Sequence, residues 1–456
     1  MRGSFPVLVL ALFAFLTPAP RVNAADAPRP NIVFIITDDQ RWDAMGCAGH
    51  PFLKTPNMDR LAREGAMFTN AFVTTPLCSP SRSSFLTGQY VHTTGVKANG
   101  PAMNPIGHQL MTFPRLLKDA GYESAYVGKW HMGNDDSPRP GFDRWVSFKG
   151  QGRYVDPELN VDGETEQKQG YVTDIVSDYA VDFINRAHAK PFVLYVGHKA
   201  VHGPFTPAER HNALYESEPI VRRPSVKDEL SGKPVLSREL AGVKNDQRIK
   251  PDGPSDVAPR NQLRCLVSVD EGLGRILDAL DEKKLADDTI VIFTSDNGFF
   301  WGEHRLADKR AAYEESIRVP LLMRYPKLIK PGTKPIEMAL NIDIAPTVLQ
   351  LAGASIPKNV HGQSLVGVFE GKAEMWRRVA LFEYFQEQNF PRVPTWQALR
   401  TDRWKYIHYP DVADADELYD LRDDPYEMKN LIADAGAADQ LISMKTALAE
   451  QLHETK

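Results

Sequence analysis

A chain of 456 residues with 42% hydrophobic and 25% charged side chains has a globular composition and the length for one large and one small domain. Its net charge of -5 argues against a dedicated nucleic-acid binder, which needs a basic surface to neutralise phosphates. Cys47, Cys78 and Cys265 are an odd set without zinc-ligand spacing, so they do not form a disulfide scaffold. If one is consumed by chemistry, the other two either pair or stay buried, and the sequence leaves both open.

Residues 1–24 read as a signal peptide. Arg2 gives a positive start, and the apolar run from Phe5 to Leu16 is too short to cross a bilayer. Pro18 and Pro20 break the run, and Val22-Asn23-Ala24 offers a cleavage site after Ala24. The expected mature protein is secreted or periplasmic and not held in a membrane.

Ile32 to Ile36 reads as a buried parallel strand that delivers Asp38 and Asp39 at its carboxyl end. The periodicity predicts helices over Pro56–Phe68, Phe113–Ala120, Leu263–Leu280 and Ile344–Leu351. It predicts strands over Glu123–Val127, Phe192–Val196, Thr289–Phe293 and Val319–Met323. Strands alternating with helices imply an α/β fold with a mostly parallel central sheet, whose ligands collect beyond the strands' carboxyl ends. The proline-rich, polar stretch from His211 to Arg260 reads as a surface insertion facing the substrate. From about Gly371 the pattern changes to a small antiparallel sheet, including Trp396–Tyr409 and Leu418–Leu421, and a terminal helix from about Ala437. The expected division is a catalytic domain at 25–370 and a C-terminal α+β subdomain at 371–456.

Cys78-Ser79-Pro80-Ser81-Arg82, followed by Leu86-Thr87-Gly88, carries the strongest chemical signal. A cysteine at a helix start, one turn before an arginine, suits an activated thiol, but taken alone it reads first as a structural buried cysteine beside a solvated arginine. Asp38-Asp39 and Asp296-Asn297-Gly298, taken singly, read as turns or caps.

The whole set resembles the type I, formylglycine-dependent sulfatases of the alkaline phosphatase superfamily, especially N-acetylglucosamine-6-sulfatase-like and arylsulfatase-like members. The likeness runs from Asn31 to about Asn430, with the motifs in the family's order. It implies an alkaline-phosphatase-like fold and oxidation of Cys78 to formylglycine by a separate maturation enzyme. It further implies one calcium ion, in preference to magnesium, held by Asp38, Asp39, residue 78, Asp296 and Asn297. Gly128-Lys129-Trp130-His131 matches an element in which Lys129 binds sulfate and His131 contacts the formylglycine hydroxyl. His202 matches the general acid, with His198 as a weaker candidate, and Lys309 the second sulfate-binding lysine; Arg82 adds charge stabilisation. Taken alone, each lysine is a solvated charge and each histidine a partly buried ring. The implied reaction is attack on sulfur by a formylglycine hydrate, through a sulfated intermediate.

The expected substrate is a sulfated carbohydrate. Similar C-terminal strings, Phe382-Glu383-Tyr384 and Trp396 to Tyr406, occur in sugar sulfatases, although sheet packing accounts for their individual residues. Two rivals are a phosphodiesterase or phosphonate monoester hydrolase of the same superfamily, which shares C-x-P-x-R, and a non-catalytic binder of sulfated glycans.

Overall fold

The computed structural model describes residues 29–240 and 254–456. The signal-peptide reading and part of the polar stretch lie outside them.

Nine strands form the main sheet: β1 (Asn31–Thr37), β2 (Ala66–Met67), β3 (Glu123–Gly128), β4 (Arg144–Ser147), β5 (Glu158–Val161), β6 (Glu164–Gln167), β7 (Phe192–Gly197), β8 (Thr289–Ser295) and β9 (Leu321–Arg324). Their order is β2-β9-β8-β1-β7-β3-β4-β5-β6. The central run β8-β1-β7-β3-β4 is parallel, and antiparallel pairs finish both sides. Every residue of β1 is buried, as expected for a β-branched run covered on both faces.

The helices that cover the sheet are α1 (Pro56–Glu64), α2 (Cys78–Thr87), α3 (Phe113–Asp119), α4 (Val172–Asn185), α5 (Val257–Glu282) and α6 (Ile344–Leu351). Val33 and Ile35 pack with α1, α4 and α5 through Leu61, Phe183 and Leu273. Phe34 and Ile36 point to the other face, against Phe85, Phe113 and Val348 of α2, α3 and α6. This two-sided burial is what a pleat of period two requires.

Two elements differ from the sequence expectation. The helix at Pro56 ends at Glu64, because Gly65 packs against the Met323 backbone and the chain turns into β2. The polar insertion is not simply a surface loop. In its described part, Leu230, Val235 and Leu236 are buried in a core shared with the C-terminal sheet. Lys233 is buried too, its ammonium donating to the Glu427 carbonyl at 2.6 Å. The apolar residues scattered through this stretch anchor it despite its polar average.

The C-terminal region forms a four-stranded antiparallel sheet, β10 (Ala380–Tyr384), β11 (Trp396–Arg400), β12 (Trp404–His408) and β13 (Glu417–Asp420), followed by α7 (Ala438–Glu454). Phe382, Tyr384, Trp396 and Tyr406 are buried in its core, which favours packing over sugar contact for these rings. Cys265 is buried in α5, Cys47 is half-buried, and neither forms a disulfide.

Candidate active site

Four central strands end at one edge and bring the polar motifs together. β1 delivers Asp38 and Asp39, β3 Lys129 and His131, β7 His198 and His202, and β8 Asp296 and Asn297. The edge is stitched by backbone bonds, with Asp296 N donating to Thr37 O at 3.0 Å and Asp38 N to Ala200 O at 2.9 Å. Glycine is required at 128: a Cβ there would lie 1.9 Å from the Gly197 carbonyl oxygen. Asp39 and His131 adopt positive φ, 64° and 55°, a cost tolerated where the surroundings fix the backbone.

Cys78 is the first residue of α2 and fully buried. Lys309 Nζ lies 3.0 Å from its sulfur, and the sulfur lies 3.5 Å from Asp38 Oδ1. Burial, with Asp38 second, pushes the thiol up to about 12. The surroundings therefore keep the sulfur protonated rather than activating it as a thiolate.

Arg82, one turn on, donates from Nε to Asp296 Oδ2 at 2.8 Å, from Nη1 to the Lys129 carbonyl at 2.6 Å and from Nη2 to Asp38 Oδ2 at 3.3 Å. The Lys129 ammonium donates to Asp38 and to Gln151 Oε1, and the Lys309 ammonium to Asp39. Asp38, Asp39 and Asp296 thus face Arg82, Lys129 and Lys309, three formal charges of each sign. Burial opposes ionisation of Asp38, but Lys129 and its other cationic neighbours override it and hold the carboxyl well below the usual range. At Asp296, burial and then the Asp38 charge dominate, and its carboxyl rises to about 7.

This set fits a metal ion. One ligand atom from each of Asp38, Asp39, Cys78 and Asp296 lies within 4.8 Å of the others, and all four residues are buried. Asn297 donates from Nδ2 to Asp39 Oδ1 at 2.6 Å, while its buried Oδ1 has no hydrogen-bond partner. An orphaned amide oxygen beside three carboxylates is a vacant acceptor that a hard cation satisfies.

A cavity of about 470 Å³ opens over the cluster, lined at its inner end by Asp39, His131, His202 and Lys309. Burial depresses His202 to about 4, and its Nε2 lies 3.9 Å from Asp39 Oδ2. His131 is held well below the ordinary histidine range by burial and then Lys129; its Nδ1 has no partner. His198 is fully enclosed, pushed down to about 4 by burial, and is not among the residues lining the cavity.

The cavity also has residues that sequence reasoning missed. Gln151 sits between Gly150 and Gly152, both at positive φ, a glycine-bracketed turn that could have flagged it. Asp308 and Arg310 flank Lys309, and Glu387 and Phe390 come from the β10–β11 connection. Arg310 donates to Glu387 at 2.6 Å and Asp308 at 2.6 Å, and lies 3.6 Å over the Phe390 ring. No residue of the described part of the polar insertion lines this cavity.

Comparison with known proteins agrees with this construction. Residues 30–354 match the family model described as Sulfatase, and residues 302–455 that described as N-sulphoglucosamine sulphohydrolase, C-terminal. An N-acetylglucosamine-6-O-sulfatase of Bacteroides thetaiotaomicron is 33% identical, covering 100% of this chain and 92% of its own. The N-acetylglucosamine-6-sulfatase of Homo sapiens is 30% identical, covering 82% of this chain and 71% of its own. A solved structure in complex with its substrate D-glucosamine-2-N,6-O-disulfate superposes with a TM-score of 0.85 at 32% identity, over 94% of this chain and 98% of the other.

The fold and site define a hydrolase of the alkaline-phosphatase-like type. The chain belongs to the sulfatase family, and its activity is the hydrolysis of sulfate esters.

Proposed function

We propose that the protein removes sulfate from a sulfated glycan, with residue 78 acting as formylglycine and one calcium ion at the buried carboxylates. The observation that carries this reading is the orphaned Asn297 Oδ1 beside Asp38, Asp39, Asp296 and residue 78. An all-oxygen set suits calcium, with magnesium second because it demands stricter octahedral geometry. The glycan substrate is supported by the disulfated glucosamine bound to the similar solved structure and by the N-acetylglucosamine-6-sulfatase relatives.

When present, the formylglycine hydrate would supply an oxygen nucleophile where the thiol sulfur now stands in for it, and the cation would favour its ionised form. The chain's own groups do the rest. Lys129 and Lys309, whose ammonium groups pair with Asp38 and Asp39, would set positive charge against the sulfate oxygens before the reaction begins. Arg82 holds Asp38 and Asp296 apart in fixed orientations. His131, neutral and with Nδ1 unpartnered, would offer a hydrogen-bond acceptor to the hydroxyl that residue 78 carries once converted. His202 Nδ1 lies 3.0 Å from the Gly203 carbonyl, which can only accept, so Nδ1 carries a hydrogen and Nε2 exchanges protons with the leaving oxygen. An incoming anionic sulfate raises the His202 value from about 4 and favours its acid form.

Residues 25–370 serve as the catalytic unit and 371–456 as a subdomain whose β10–β11 connection borders the cavity. Export by the N-terminal segment and conversion of Cys78 by a maturation enzyme complete the reading. Among the described residues, no helix is long and apolar enough to cross a membrane.

Mass spectrometry of the peptide holding residue 78 tests the modification, since thiol-to-aldehyde conversion replaces the sulfur and a pair of hydrogens with a single oxygen. Fully active enzyme with an intact thiol would overturn the mechanism. Parallel assays on sulfated sugars and on a phosphate diester test the substrate class: sulfate turnover should dominate, and preference for the diester would favour the phosphodiesterase reading. Glycan binding without turnover, unchanged in Cys78→Ala, would favour the non-catalytic one.

A further inference from the structure

Lys199 lies three residues before His202 and is 2% exposed. An uncompensated buried ammonium is costly, so its partners matter. Its Nζ donates to the Gly203 carbonyl at 3.1 Å, the same oxygen that receives His202 Nδ1 at 3.0 Å. A carbonyl has two lone pairs, and these two donors fill them. The lysine stem curls around the loop it belongs to, for His202 N donates back to the Lys199 carbonyl at 3.0 Å. Below it, Nζ lies 4.8 Å from the Tyr154 ring centroid, and the Tyr154 hydroxyl donates to the His202 carbonyl at 2.6 Å.

The His202 imidazole is therefore held at Nδ1 by the Gly203 carbonyl, which Lys199 fixes in turn, while Tyr154 fixes the His202 backbone carbonyl. Its front nitrogen faces the cavity. The Lys199 ammonium is taken up by the Gly203 carbonyl and the Tyr154 hydroxyl by the His202 carbonyl, so both act on the loop, and neither is among the residues lining the cavity.

We propose that Lys199, assisted by Tyr154, is a positioning residue for the general acid: it fixes the Gly203 carbonyl and thereby the Nδ1–H tautomer and aim of His202. This rests on the sulfatase reading and on His202 as the proton donor. Without the ammonium, the Gly203 carbonyl is free to turn, and the ring loses its fixed hydrogen-bond acceptor. A small misplacement of a catalytic group costs about 10²-fold in rate.

The test exploits the leaving group. An aryl sulfate such as 4-nitrophenyl sulfate leaves as a stabilised phenolate and needs little proton donation, whereas a sugar alkoxide needs it fully. Lys199→Met should lower kcat by about 10²-fold on a glucosamine 6-sulfate, with little change in KM, and by less than about 3-fold on 4-nitrophenyl sulfate. Lys199→Gln, which keeps a donor without the charge, should restore part of the sugar-sulfate activity. Tyr154→Phe should show the same selectivity at smaller size. Circular dichroism and melting of each variant report folding.

Equal losses on both substrates in a folded variant, or no loss on either, would overturn the proposal. So would selective loss in Lys199→Met with no recovery in Lys199→Gln. If the parent enzyme turns over neither substrate, it is the sulfatase reading that fails. If Lys199→Met does not fold, the ratio of the two activities in Tyr154→Phe decides: selective loss supports the clamp, uniform loss rejects it.

Discussion

Two clusters of buried charge occupy this protein. The cluster at the carboxyl edge of the main sheet has three carboxylates and three cations, an orphaned Asn297 oxygen and a cavity above it. The cluster beneath the C-terminal sheet links Glu314 to Arg400 at 3.0 Å and to Lys405 at 2.9 Å, and Lys405 to Glu427 at 2.8 Å. Its Lys405 also donates to the Ala312 carbonyl, and Glu427 accepts from Glu314 N. Burial opposes ionisation of Glu314, but Arg400 and Lys405 hold it ionised far below the usual range. Both clusters bear the cost of desolvation, but the first also borders a cavity and holds the Asn297 amide oxygen without a partner. Buried charge alone therefore does not mark a reactive site; unmet coordination beside an opening does.

Removing the proposed nucleophile should separate the clusters most sharply. Cys78→Ala should lower turnover by about 10⁶-fold, the scale of nucleophile loss in other covalent hydrolases, with folding retained. Steady-state kinetics and a urea melt check both halves.

Lys405→Met attacks the second cluster, leaving two buried carboxylates short of a partner. It should cost about 3–5 kcal/mol in urea unfolding, while kcat per folded molecule stays within about two-fold. A matching loss of kcat would mean that the C-terminal cluster also tunes the site.

Lys129→Met should lower kcat/KM by about 10²–10³-fold. With calcium present it should cost less stability than Lys405→Met, because the cation can replace the charge facing Asp38. Equal stability losses would erase this distinction.

The smallest effect is on pH. The folded value of Asp296, about 7, lies above its ordinary 3.8, so its contribution to stability is full below 3.8 and lost as pH rises through about 7. Asp38 is depressed instead, so it is ionised in both states across pH 5–8 and adds no slope there. A bound cation compensates ionised Asp296. Saturating calcium should therefore raise the melting temperature more at pH 8 than at pH 5, by the equivalent of about 1 kcal/mol. An equal gain at both values would place the ion elsewhere.

Much of the first cluster was legible in the sequence because strand ends announce themselves. Apolar runs stop abruptly at Asp38, Lys129, His198 and Asp296, and the parallel sheet gathers those stops at one edge. The helices over Ile344–Leu351 and α5 were legible from periodicity. The second cluster was not, since Glu314, Arg400 and Lys405 read locally as surface charge and meet only through tertiary packing. Lys199 was hidden for the same reason: its partner is a backbone carbonyl, which leaves no trace in residue type. The anchoring of residues 230–236 was masked by the polar average around them.

The seating of β1 has a consequence for how the enzyme fails. It is hydrogen-bonded on both sides, in register with β8 over seven residues and β7 over five. Amide exchange in such a strand proceeds only when the whole domain opens. Asp38 and Asp39, directly after it, are therefore held by one of the last parts of the sheet to open. Thermal inactivation should follow the global unfolding rate, with no long-lived folded species in which this edge of the sheet has opened.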